Sequence, residues 1–89
     1  MIRNAQFIKR KLGGQYVIVA VGEASKRFHG MISVNESGSL LWDRLEKECS
    51  LDDLVSAVTD TYEIDADTAR ADVLEFLTNL KEVSAVEGE

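Results

Sequence analysis

The chain has 89 residues, 45% hydrophobic and 29% charged, with one cysteine, one histidine and no proline. That is globular composition for one domain spanning residues 1–89, and it excludes a disordered tail, a disulfide framework and a cysteine-rich zinc module. The longest apolar run, Tyr16–Val21, is too short to span a membrane, and Met1–Lys11 carries charges where a secretory signal is apolar, so a cytoplasmic location is expected. The net charge of −6 is unevenly spread. Residues 1–34 hold six basic residues and one acid, whereas residues 35–89 hold four basic residues and fifteen acids. Modules that hold nucleic acid present a net basic face to phosphate, and the acidic part of this chain opposes that role.

Phe7–Leu12 and Gln15–Val21 flank Gly13-Gly14, and two such runs around a glycine pair predict a β-hairpin. The second run is apolar at both parities, as in a central strand covered on both faces. Gly22–Arg27 is a polar loop. Phe28–Val34 forms a third strand, with Phe28, Ile32 and Val34 on one face and His29, Met31 and Ser33 on the other. Gly30 leaves a gap in the side-chain row where another backbone can approach.

From Asn35 the period becomes helical. Asn35 is the expected N-cap, and Leu41, Trp42, Leu45 and Cys49 share one helix face. Ser50 caps the next helix, with Asp53 completing a capping box, and Leu51, Leu54, Val55, Val58 and Tyr62 form its buried stripe. Asp65 or Asp67 opens a third helix whose core face is Ala69, Val73, Phe76, Leu77 and Leu80, and Val83 and Val86 continue as a tail against the sheet. The predicted fold is α+β: a three-stranded antiparallel sheet followed by three helices, winged-helix-like.

Nothing in the residues points to catalysis, and no metal or cofactor is expected. His29 is the only histidine, and a lone strand histidine is more often exposed than a ligand. Cys49 sits on an apolar helix face, where it serves as a small hydrophobe. Asp52-Asp53 and Asp65-x-Asp67 lie at helix starts, where the helix dipole accounts for them. The spacing of a calcium loop is missing, and Gly13-Gly14 and Gly22 make no phosphate-binding fingerprint. Gly38-Ser39-Leu40 superficially offers the modified serine of a carrier protein. Such carriers place an acid before that serine and are all helical, which this chain is not.

The stretch Phe28-His29-Gly30-Met31-Ile32-Ser33-Val34-Asn35-Glu36-Ser37-Gly38, followed by Leu40-Leu41-Trp42-x-x-Leu45, resembles the PqqD family. Gly22-Glu23, Ser50-Leu51-Asp52-Asp53-Leu54-Val55, Tyr62 and Ala71-Asp72-Val73-x-x-Phe76-Leu77-x-x-Leu80 extend the likeness from about residue 7 to 86. The chain departs from the family at its end, where Val83-Ser84-Ala85-Val86 replaces a Gly-Leu-Ile-like segment. The resemblance implies a non-catalytic chaperone or adaptor for a ribosomally made precursor peptide. Such a domain binds the leader by strand addition and presents it to a modifying enzyme, often a radical S-adenosylmethionine enzyme, as in pyrroloquinoline quinone biosynthesis.

Carried onto this chain, the family's binding mode places the leader beside Phe28, His29, Gly30, Met31, Ile32, Ser33 and Val34, over the helix that holds Arg70, Val73, Leu74, Leu77 and Lys81. An edge strand suits that mode, because its unpaired N–H and C=O groups can take up an extended peptide. Leu74 lies outside the core stripe, framed by Arg70 and Lys81, which fits a peptide with apolar and acidic side chains. It equally fits a widened core face with a solvated rim. The expected partners are therefore the leader peptide and its modifying enzyme, with no nucleic acid and no membrane, and a monomer is the simplest state. The alternative is a winged-helix DNA-binding transcriptional regulator. The acids Asp65, Asp67, Asp72, Glu75 and Glu82 on its would-be recognition helix disfavour it. An accessory subunit without a peptide of its own is a third reading.

Overall fold

The computed structural model describes residues 1–88; residue 89, the end of the span read as one domain, lies outside them. Strand β1 is Ile2–Arg3, and β2 (Phe7–Leu12) and β3 (Gln15–Ala20) form the hairpin. Its turn has positive φ at Gly13 (66°) and not at Gly14, the mark of a type II′ turn that only glycine enters without strain. Strand β4 (Met31–Val34) pairs antiparallel with β3, giving the order β2-β3-β4. Helices α1 (Glu36–Arg44), α2 (Leu51–Thr61) and α3 (Ala66–Glu82) follow, then β5 (Val86–Glu87). The architecture is the expected three-stranded sheet followed by three helices.

Two stretches differ from the sequence reading, each because a backbone hydrogen bond is used elsewhere. Gly22–Lys26 is a short 3-10 helix rather than an open loop. Its Ala24 carbonyl accepts from Arg27 N at 3.1 Å and Phe28 N at 3.0 Å. That bond and the packing of the Phe28 ring on Phe7 (centroids 6.2 Å apart) hold Phe28 off the sheet. The third strand therefore starts at Met31, and Phe28, His29 and Gly30 precede it. The first helix ends at Arg44, so Cys49 falls in the link to α2. The Leu45 carbonyl accepts from Arg3 N at 2.9 Å, and Arg3 Nη1 donates to Trp42 O at 3.0 Å. A cation at the carbonyl end of a helix is favourably placed.

The chain's tail also lies elsewhere than expected. Ser84, at φ 62°, turns the chain back after α3. Ala85 N donates to Leu80 O at 2.8 Å and Ser84 N to Lys81 O at 3.1 Å, a Schellman-type ending. Val86 is thereby brought against β1, with Arg3↔Val86 and Ile2↔Glu87 in register, in a separate two-stranded sheet.

Alternation along the strands puts Phe7, Ile18, Ile32 and Val34 on the face toward the helices. They meet Leu41, Trp42, Leu45, Leu54, Val58, Ala69, Val73, Leu77 and Leu80 in one hydrophobic cluster. Lys9 ties sheet to helix, since its Nζ donates to Ser39 Oγ (2.7 Å) and Asp43 Oδ1 (2.8 Å) and lies 4.9 Å from the Tyr16 ring centroid.

All three helices carry the N-caps that their sequences offer. Asn35 Oδ1 accepts from Gly38 N (2.9 Å), and Ser50 and Asp53 exchange the two bonds of a capping box. Asp65 Oδ1 accepts from Thr68 N (2.7 Å). The main-chain N–H of Ser50 holds the Asp53 carboxyl below the ordinary aspartate value of 3.8, and that of Thr68 does the same for Asp65. The folded carboxyls thus resist protonation that the unfolded chain accepts. Their stabilisation is present above the unfolded value and is lost as the pH falls through the folded one. Thermal melts across pH are expected to show Asp53→Ala and Asp65→Ala below the parent near neutrality, with the gap closing in acid below the ordinary aspartate value.

Candidate functional site

β2 and β4 are the two edges of the sheet. β2 carries Lys9-Arg10-Lys11, consecutive cations of the kind that discourage strand pairing. β4, Met31-Ile32-Ser33-Val34, has neither charge nor proline. The two-residue turn makes Leu12↔Gln15 the closing pair, which exchanges both main-chain bonds. Alternation from there points the polar groups of Tyr16 and Ile18 toward β4, onto their partners Val34 and Ile32. Met31 and Ser33 accordingly direct N–H and C=O away from the sheet.

Beside this edge a groove of about 880 Å³ runs between β4, the start of α1 and α3. Ile32, Val34, Leu41, Val58 and Phe76 give it an apolar floor, and Tyr16 with Lys11 closes the hairpin end. Asn35, Glu36, Ser37 and Gly38 line it from the start of α1, and Asp72, Glu75 and Asn79 from α3. Gly38 suits the close approach here. A Cβ on it would stand 3.2 Å from Val34 Cβ and 3.3 Å from Phe76 Cε1. The absent side chain lets α1, β4 and the Phe76 ring converge at one point.

The structure brings Ile32, Ser33 and Val34 into the groove and leaves other expected residues outside it. Met31 is on β4 but turns its side chain to the sheet's outer face, 55% exposed. His29 and Gly30 are exposed just before the strand, and Phe28 packs inward on Phe7. On α3, Val73 is fully buried in the core. Arg70 faces α2, where its Nη1 lies 3.4 Å from Asp52 Oδ1. Leu74, Leu77 and Lys81 line a second, smaller hollow of about 580 Å³ with Met1, Glu48, Cys49, Ser50, Leu51 and Asp53. The α3 flank beside β4 is thus Asp72, Phe76 and Asn79, on the opposite side of the core stripe from Arg70, Leu74 and Lys81.

The electrostatics follow from that geometry. Three carboxylates, Glu36, Asp72 and Glu75, line the groove against one ammonium, Lys11. None of these three acids forms an ion pair among the described residues, whereas Asp43 and Asp52 outside the groove are paired with Lys9 and Arg70. Cys49 stands apart from the groove, and burial pushes its thiol up from the ordinary value of 9.0, as befits a packing residue. Among the described residues no group of three or more His, Cys, Asp or Glu is placed to hold a metal ion. No helix among them is long and apolar enough to cross a membrane.

Fold and groove together define a winged-helix-like α+β domain with one open strand edge above an apolar floor. The chain belongs to the PqqD family: residues 15–86 match the family described as coenzyme PQQ synthesis protein D. The fold is shared with a solved structure, TbiB1 in complex with the TbiA(beta) leader peptide, at a TM-score of 0.77 and 20% sequence identity. The likeness covers 100% of this chain and 98% of that one. No curated protein matches the sequence.

Proposed function

We propose that this domain binds the leader segment of a ribosomally made precursor peptide as an added strand on β4 and presents it to a modifying enzyme. The observation that carries the reading is the uncharged β4 edge, with the outward polar groups of Met31 and Ser33, directly above an apolar groove. Membership of the PqqD family supports it, as does a shared fold with a protein solved on a leader peptide. In this role the chain is a cytoplasmic adaptor without chemistry of its own, and the partner that performs the modification is an enzyme of the radical S-adenosylmethionine type or another peptide-modifying enzyme. The peptide-contacting residues are Ile32, Ser33 and Val34 with the main chain of Met31, faced by Phe76, Asp72 and Asn79. The DNA-binding alternative has the acidic flank of α3 against it, because Asp72 and Glu75 would repel phosphate.

Hydrogen exchange tests strand addition. The probes are synthetic N-terminal segments of the short reading frames beside the gene. On adding the segment that binds, the Met31 and Ser33 amides are expected to slow strongly. Those of Ile32 and Val34, already bonded to β3, change less. Protection confined to Gly22–Lys26 or to α2, with none at Met31 and Ser33, would overturn the proposal, as would failure of every segment to bind.

A further inference from the structure

We propose that the segment this groove accepts is basic and apolar: aliphatic or aromatic side chains seated on Phe76, with lysine or arginine beside them. The inference rests on the strand-addition reading and names the chemistry of the peptide. Side chains of an added strand alternate, so residues i, i+2 and i+4 face the groove, roughly 6.7 Å apart. Asp72 is one turn before Phe76 on α3, about 6 Å along the helix axis. A basic residue two positions from the apolar anchor therefore comes within side-chain reach of Asp72 or Glu75.

The charges leave little for an acidic segment to bind. Glu36, Asp72 and Glu75 have no ion-pair partner among the described residues, so an incoming ammonium or guanidinium does not have to displace one. At the positive end of α1, Asn35 Oδ1 already takes Gly38 N and Ser37 Oγ, and the Glu36 carboxylate stands in the first turn. Lys11, at the hairpin end, is the one cation of the groove, so a single acidic residue or a peptide carboxylate is accommodated there. A net charge of −6 favours the approach of a cation over longer range, in a salt-dependent way.

The experiment displays two libraries of short extended peptides. In both, positions i and i+4 are apolar, position i+2 on the same face is variable, and Ser or Thr stands between them; one library draws its variable residue from Lys, Arg, Ser and Thr, the other from Asp, Glu, Ser and Thr. Against the parent protein the basic library is expected to enrich. Its winners protect the Met31 and Ser33 amides, and their affinity falls about tenfold in the Asp72→Lys/Glu75→Lys variant, which turns to the acidic library. Glu46→Lys/Glu63→Lys, at exposed positions outside the groove, changes net charge equally and leaves the preference in place. Basic winners that lose affinity equally in both variants would overturn the inference, because the attraction would then be global. Winners that protect β4 but are acidic or uncharged would overturn it while strand addition stands. If no winner protects β4, strand addition fails and the inference with it.

Discussion

Leu80→Ala is expected to remove about 2–5 kcal/mol of folding free energy, the range for truncating a leucine that nothing can replace. Leu80 is 0% exposed, and it lies where α3 meets the rest of the core, in one cluster with Trp42, Leu54 and Val73. Its carbonyl accepts from Val83 N (3.3 Å) and Ala85 N (2.8 Å), which fixes the turn leading into β5. The backbone there is pinned, so the cavity collapses poorly. A domain of this size has on the order of 5–15 kcal/mol in total, and the variant should melt on the order of 15 °C lower. Leu74 on the same helix is 46% exposed, and Leu74→Ala should cost no more than about 1 kcal/mol. Equal melting temperatures for the two variants would mean that α3 does not present this face to the core.

What the sequence made legible, and what it did not, divides along the range of the interaction. Helix starts were legible because capping is a local code: Asn35, Ser50 with Asp53, and Asp65 each bond to an N–H three residues on. The hairpin was legible because Gly13 supplies a conformation that residues with a side chain resist. The buried stripe of α3 was equally plain from its spacing. A stripe has two flanks, however, and spacing alone cannot say which one meets the sheet. Arg70, Leu74 and Lys81 on one side and Asp72, Phe76 and Asn79 on the other are equivalent on a helical wheel. The choice is made by how α3 docks on α1 and β4. Phe76 packs against the core cluster, as its place on the stripe implies, and it also stands at the groove's floor. One sequence signal bore on the choice: Gly38, at the start of α1, marks a close approach, and the aromatic ring that fills it belongs to the flank that meets β4. The late start of β4 was hidden because the 3-10 turn at Gly22–Lys26 has no periodicity long enough to see.

Ser33→Pro is expected to weaken strand addition strongly while leaving the fold in place, and Ile32→Pro to do the reverse damage. The two residues are adjacent on β4, but their N–H groups point opposite ways. That of Ile32 is directed into the ladder with Ile18, and that of Ser33 toward the open edge. Proline lacks the N–H, and within a sheet it is tolerated on edge strands when the missing donor faced solvent. At position 33 the ring therefore removes the donor that a bound leader would use and sets a bulky methylene in its place. The peptide carbonyl left without a partner costs about 1–3 kcal/mol, roughly a fivefold to 150-fold loss of affinity. Thermal stability should fall only slightly. At position 32 the same ring breaks a β3–β4 bond and withdraws a side chain that packs against the core cluster, so the domain should lose several kcal/mol or fail to fold. Thermal melts and titrations with the segment that binds the parent protein separate the outcomes. A folded Ser33→Pro protein that binds the segment normally would show that the leader does not pair with β4, whatever else in the groove it touches.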